Sequence, residues 1–303
     1  MWRRECRTLE DLPEPLQACA RGALPANVAL MQMVQAAQTR DDLEADIDVA
    51  IALSEQADER AMRQRLQAIR KLWRETPAAW DTLRTVLSLV AKPHQPEHPS
   101  IDRWAAIFDE VCAVSPEAGV ALYSLGRTDL LDAATAEIVA YMRDRGLLGA
   151  DKAALEIGCG NGRFLKPLGN ELRLMVGIDI SMGMLRQARQ RCAGSTGVAL
   201  MRGSGRDLAA FADEGFDLVC AVDSFPYLVD AGVAARHIED AARLLKPGGA
   251  LLIVNYSYRA DRSADRKELL RLVVSTGLEP VCDSAVQFRH WDGVVFQFLK
   301  RSK

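Results

Sequence analysis

The spacing of apolar residues changes character along this chain, from a helical period in the first third to short strand-like runs in the second half. From Asn27 onward, Leu30, Val34 and Ala37 fall on one stripe with Met31 and Met33 beside them. Thr39 to Asp42 supplies helix-start chemistry before Leu43, Ile47, Ala50 and Ile51. A charged segment, Asp58 to Arg74, carries Met62, Leu66, Ile69 and Trp73 on its apolar side. Pro77 suits the first turn of a further helix holding Trp80, Leu83, Val86, Leu87 and Val90. About four helices are predicted here. Residues 1 to about 24, with Pro13 and Pro15 and few periodic apolars, read as irregular. The basic run Arg60, Arg63, Arg65, Arg70, Lys71 and Arg74 is interleaved with Glu55, Asp58, Glu59 and Glu75, which reads as a solvated helix face rather than an interaction surface.

The stretch KPHQPEHPS, Lys92 to Ser100, interrupts both periods. Pro93, Pro96 and Pro99 block helix and strand ladders alike, so residues 93–100 are expected to link a helical N-terminal domain, 1–92, to a second domain, 101–303. His94 and His98 stand four apart, but the prolines exclude the helix that would align them on a metal. Helical signals resume over 101–150 with Trp104, Ile107, Phe108 and Val111, then Leu130, Ile138, Val139 and Met142.

After residue 150 the pattern is strand, turn, helix, strand. Ala154, Leu155 and Ile157 make a short apolar run that breaks into Gly158, Gly160 and Gly162, and a second run, Leu172 to Ile178, ends in Asp179. Such a turn lets backbone approach a ligand that a Cβ would hold off, and an acid at the second strand tip can hold a ribose diol. Met182 to Arg191 reads as a helix, Val198 to Met201 and Phe216 to Val222 as strands. A helix to Leu245 is followed by Lys246-Pro247-Gly248-Gly249, expected to reverse the chain into the strand Ala250 to Val254. Leu269 to Val274 reads as a last helix, and Leu278 to Val286 and Val294 to Leu299 as two strands joined by Gln287 to Gly293.

The nicotinamide fingerprint G-x-G-x-x-G requires glycine at position 163, which is Arg here. The pattern is instead E-x-G-x-G-x-G, with Glu156 ahead of the turn. It resembles motif I of the class I S-adenosylmethionine-dependent methyltransferases. The run RLLKPGGALLIV, Arg243 to Val254, and the terminal strand pair resemble the same family, so the resemblance covers roughly residues 101–303. It implies an α/β, Rossmann-like fold: a seven-stranded mixed sheet with the last strand antiparallel, preceded by the α-helical N-terminal domain. It implies that capping helices, 101–150, precede a Rossmann-like core, 151–303.

The resemblance also implies a cofactor, S-adenosyl-L-methionine, and a set of residues for it. Glu156 answers the methionine end, Gly158, Cys159 and Gly160 line the turn, and Asp179 holds the ribose hydroxyls. Met184 and Leu185 follow the Asp179 loop closely enough to pack on adenine, Ile180 belongs to the same cofactor-binding set, and Ser204, Gly205 and Arg206 edge the adenine. Ser204 stands where an acid is common, so Asp207 is an alternative. Asp223 lines the methyl-transfer position beside the cofactor. Tyr123, Phe225, Tyr227 and Trp291 are expected to border the acceptor. For a general base the candidates are Asp223 and His290; His237 shares a stripe with Val233 and Ala241 and reads as structural. The marker N/D-P-P-Y/F of amino-group methylation of nucleobases or glutamine is absent, Ser224-Phe225-Pro226-Tyr227 being a distant echo.

Composition narrows the partners. With a formal charge of −3, the chain is not built for non-specific binding to nucleic acid or anionic membranes. No apolar run reaches membrane-span length, and MWRRECRTLEDLPEPL lacks the apolar core of a secretory signal. The 7 cysteines are widely spread without a C-x-x-C pair, which suggests reduced thiols in a cytoplasmic protein and no zinc site. The expected function is methyl transfer to a small-molecule acceptor by in-line displacement, with the helical domain capping, dimerising or binding a protein partner. Two alternatives stand beside it: a protein that binds S-adenosylmethionine without turnover, and an RNA or protein methyltransferase.

Overall fold

The computed structural model describes residues 8–56, 59–91, 100–259, 261–282 and 288–302. The linker expected at 93–100 lies outside them except for Ser100, as do His94, His98 and the far end of the strand expected to reach Val286.

The N-terminal region folds as α1 (Glu14–Ala20), α2 (Ala26–Ala36), α3 (Arg40–Gln56), α4 (Arg60–Glu75) and α5 (Ala79–Val90). The first of these corrects the expectation of an irregular start. Pro15 occupies the opening turn of α1, where its missing N–H would have no helical partner anyway, while Leu16 and Cys19 are buried. Arg65 of α4 donates from Nε and Nη2 to the carbonyl of Ala20 at 3.0 and 2.7 Å, closing the end of α1. That residue is therefore a tie between helices, not part of a freely solvated face. The apolar stripes of all five helices meet in one core containing Leu16, Leu30, Leu43, Leu66, Trp73 and Leu83.

Three helices come next: α6 (Ile101–Val114), α7 (Pro116–Val120) and α8 (Thr128–Asp144), with a 3-10 turn, Leu122–Ser124, between the last two. Ser100 and Ser115 cap α6 and α7 by accepting from the amides of Arg103 and Ala118.

The sheet is built from β1 (Ala153–Ile157), β2 (Leu174–Asp179), β3 (Val198–Arg202), β4 (Phe216–Val222), β5 (Leu245–Val254), β6 (Leu278–Cys282) and β7 (Val295–Lys300). Its order is β3-β2-β1-β4-β5-β7-β6. Neighbours among β1 to β5 pair in parallel, and β7 runs antiparallel to both β5 and β6. The connecting helices are α9 (Leu165–Leu168), α10 (Met182–Arg191), α11 (Phe225–Asp230), α12 (Ala234–Leu244) and α13 (Arg262–Val273).

Alternation along the strands assigns the two faces. Leu218, Cys220 and Val222 of β4 face the layer with α8, α9 and α10, whereas Val219 and Ala221 face the layer with α11, α12 and α13. Lys246 to Gly249 do not reverse the chain between helix and strand. Residue 245 already pairs with Phe216 and Ala250 with Leu218, so these residues bulge out of β5 opposite Asp217. The Asp217 carboxylate fills the gap, accepting from Lys246 Nζ and the Ala153 amide, both at 2.8 Å.

Candidate active site

Parallel strands leave a crevice beyond their carboxyl ends. Here it is a cavity of about 970 Å³, floored by the tips of β1, β2, β4 and β5 and walled by α2, α5, α6 and the Val120–Tyr123 segment.

At the tip of β1 the glycine turn places its backbone against the cavity. Gly158 has φ +71°, and a Cβ there would lie 2.4 Å from Ser224 Cβ, so a side chain is excluded both by conformation and by space. Asp179 closes the turn from the neighbouring strand. Its Oδ2 accepts from the Gly160 amide at 2.8 Å and its Oδ1 from the Ser181 amide at 2.9 Å. Burial raises the Asp179 pKa while those amides pull it down. Cys159 is buried in the same turn, and burial followed by the charges of Asp179 and Glu156 pushes its thiol far up, which favours the protonated form.

Glu156 is 1% exposed, and its Oε2 has no hydrogen-bond partner among the described residues. Burial raises its pKa to about 8, against the opposing pull of Arg163. Arg163, 5% exposed, also lines the cavity. Its Nη1 donates to the Tyr123 hydroxyl at 2.7 Å, and its guanidinium lies 4.6 Å from the centre of the Phe164 ring. One end of the cavity thus offers a buried acid and a buried guanidinium, complementary to an ammonium and a carboxylate. Arg163 was absent from the residues expected at the site. Its signal was present, since it stands where the nicotinamide fingerprint needs glycine and a large charged residue follows the turn.

Asp223 sits at the tip of β4 with φ +59°, and Asn255 at the tip of β5 with φ +61°; both are left-handed conformations that cost a non-glycine residue energy. Asn255 Nδ2 and the Tyr258 hydroxyl both donate to Asp223 Oδ1, at 3.1 and 2.9 Å. Burial raises the Asp223 pKa, opposed by the Asn255 hydrogen bond and the Arg163 charge. Tyr227 stands nearby, its ring centre 4.8 Å from those of Trp104 and Phe108 and 5.7 Å from that of Tyr258. Tyr123 is buried rather than surface-facing, and its ring stacks on Trp291 at 5.1 Å.

The residues expected at the site therefore divide. Glu156, Gly158, Cys159, Gly160, Asp179, Ile180, Met184, Gly205, Asp223, Tyr123, Tyr227 and Trp291 all line the one cavity. Four others go elsewhere. Phe225 is buried against Tyr256 in the core beneath the sheet. Ser204 Oγ accepts from the Arg206 amide at 3.1 Å, closing its own turn, and the Arg206 guanidinium pairs with Asp102 of α6 at 2.8 Å. His290 turns its Nδ1 to Glu137 at 3.2 Å, away from the cavity. Asp207, the alternative to Ser204, does line the cavity. So does His237, whose Nδ1 is 3.0 Å from the Val233 carbonyl; the contact requires the proton on Nδ1, and burial lowers the pKa.

Comparison with known proteins agrees with this geometry. Residues 154–249 match the methyltransferase domain family. A demethylmenaquinone methyltransferase of Clavibacter sepedonicus is 29% identical over 153 residues, 50% of this chain and 58% of that protein. One from Corynebacterium kroppenstedtii is 36% identical over 103 residues, 34% of this chain and 41% of its own. The chain spans about half the length of the curated relatives it matches. In fold it resembles phosphoethanolamine N-methyltransferase 1 of Haemonchus contortus, with TM-score 0.55 and 18% identity, covering 67% of this chain and 49% of that one. Together with the sheet order and the E-x-G-x-G-x-G turn, the match over residues 154–249 identifies a methyltransferase domain of the class I S-adenosylmethionine-dependent type within this chain.

Proposed function

We propose that the protein transfers a methyl group from S-adenosylmethionine to a small-molecule acceptor held in the 970 Å³ cavity. The observation that carries this reading is the unpartnered Oε2 of buried Glu156, in the same cavity as Arg163. A buried acid without a donor is costly, and an ammonium group relieves it. When bound, the cofactor supplies an electrophilic methyl group on sulfur. Glu156 holds its ammonium, Arg163 its carboxylate, and Asp179 its ribose. The work of the other residues is alignment and exclusion of water.

Asp223 is the proton acceptor of this proposal. Among the described residues both hydrogen bonds to its carboxylate reach Oδ1, so Oδ2 is the oxygen available to an acceptor proton, and its raised pKa brings its basicity nearer to neutrality. Residues 1–92 act as a cap on domain 101–303, because Met31, Gln32 and Gln35 of α2 and Val86, Leu87 and Val90 of α5 border the cavity. The demethylmenaquinone methyltransferases among the relatives, together with the aromatic wall, make hydroquinones the first acceptors to try.

The test is calorimetric titration with S-adenosylmethionine and S-adenosylhomocysteine, followed by turnover on a panel of hydroquinones, phenols and amines. Micromolar binding with turnover on one class is the expected result. Binding without turnover on any acceptor would favour a non-catalytic cofactor-binding role. No binding by folded protein would overturn the assignment.

A further inference from the structure

Asn27 is a buried amide, 4% exposed, in the first turn of α2. Its Nδ2 donates to two backbone carbonyls from distant parts of the chain: that of Tyr123 at 2.9 Å and that of His290 at 2.8 Å. Both hydrogens of the group are thereby used. Tyr123 and Trp291, the residue after His290, stack on each other and line the cavity. Two strands of backbone that carry one aromatic wall are thus fastened by a single side chain of the N-terminal region.

The surroundings make this more than a local contact. Val28, next in sequence, is fully buried and packs into the sheet-side core with Tyr123, Ile138 and Trp291, while Ala29, Leu30 and Met33 pack into the helical core. Met31 and Gln35 follow Asn27 at intervals of four, on the same helix face, and border the cavity. From the other side, Glu137 of α8 accepts from the amides of Arg289 and His290 at 3.0 and 3.2 Å. The connection before β7 is held between α2 and α8, and Asn27 is the only one of those holds that also reaches Tyr123 among the described residues.

Resting on the methyltransferase reading, we propose that Asn27 is a positioning residue: it sets the Tyr123–Trp291 wall against which the acceptor is bound, so that the N-terminal helices govern acceptor affinity. Asn27 itself is not among the residues that line the cavity. Leu at this position keeps the volume and removes both donors, and Asp keeps the shape while setting a carboxylate against two carbonyls.

The experiment compares wild type with Asn27→Leu and Asn27→Asp, each with and without Trp291→Phe. Three quantities are read: tryptophan emission with acrylamide quenching, S-adenosylhomocysteine affinity, and KM and kcat on 1,4-naphthoquinol or on the best acceptor of the panel. The expected result is a red-shifted, more quenchable emission that disappears in the Trp291→Phe background. KM should rise about tenfold with kcat changing little, while cofactor affinity, which the wall reaches only through the Tyr123 hydroxyl on Arg163, should fall by clearly less than that. Unchanged Trp291 emission in both variants would overturn the proposal. So would a parallel fall of kcat, cofactor affinity and melting temperature, which is the mark of a merely structural residue. If wild type bound no S-adenosylhomocysteine, the methyltransferase reading would fail separately, and Trp291 emission would still decide whether Asn27 holds the wall.

Discussion

Asp179 on β2 grips the backbone of Gly160 in the turn after β1, its Oδ2 2.8 Å from the glycine amide. The acid expected to read the ribose therefore also fixes the loop that admits the cofactor. Asp179→Ala should remove both functions at once. A charge-assisted bond of this kind is worth about 1.5–3 kcal/mol, so cofactor affinity should fall about 10- to 100-fold or more. Calorimetry against S-adenosylhomocysteine measures it, and an affinity within threefold of wild type would contradict it.

Glu156 makes stability depend on pH. Its carboxyl is raised from 4.5 to about 8 by burial, so the folded state prefers the neutral form. Below about 4.5 that preference costs nothing, and the stability it contributes is lost as pH rises through about 8. Glu156→Gln should flatten the fall in unfolding free energy between pH 5 and 9, by an amount on the order of a few kcal/mol at the alkaline end. Urea titrations across that range would show it. An equal slope in both proteins would rule it out.

Gly158 and Ser224 touch across the turn. Gly158→Ala sets a Cβ 2.4 Å from Ser224 Cβ at φ +71°, which should destabilise the fold by about 1–3 kcal/mol and weaken cofactor binding. Ser224→Gly in the same chain should recover the steric part but not the conformational one. A double-mutant cycle in denaturant separates the two.

Asp223→Asn retains the left-handed strand tip while removing the base. Cofactor affinity should be preserved and turnover on a protic acceptor should fall about 10²- to 10⁴-fold. Turnover at the wild-type rate would mean that the acceptor needs no proton removed and that Asp223 only lines the site.

Much of this was legible in the sequence, and for a physical reason. The strand, glycine turn and acid between Ala154 and Asp179 are set by local conformation, which neighbouring residues determine. The terminal strand pair was legible because two apolar runs of the right length close the chain. What escaped was decided by distance or by side-chain direction. α1 was missed because Pro13 and Pro15 read as breakers, although proline is harmless in a first turn. Ser204 and Phe225 occupy family positions, yet one closes its own turn and the other faces the core. Asn27 has no local signature at all, since its partners lie 96 and 263 residues away.

The sheet order has a consequence for how the chain is made. Among the described residues β6 meets the sheet only through β7, which lies between it and β5. As the chain leaves the ribosome, β6 emerges before the strand that will hold it, and the edge of β5 stays unpaired until Val295–Lys300 arrive. Closure of the sheet thus waits for a strand synthesised after β6. Vectorial synthesis and the hydrogen-bonding order of the strands run in opposite directions at this edge, and a nascent chain stalled before β7 would carry an open, aggregation-prone border.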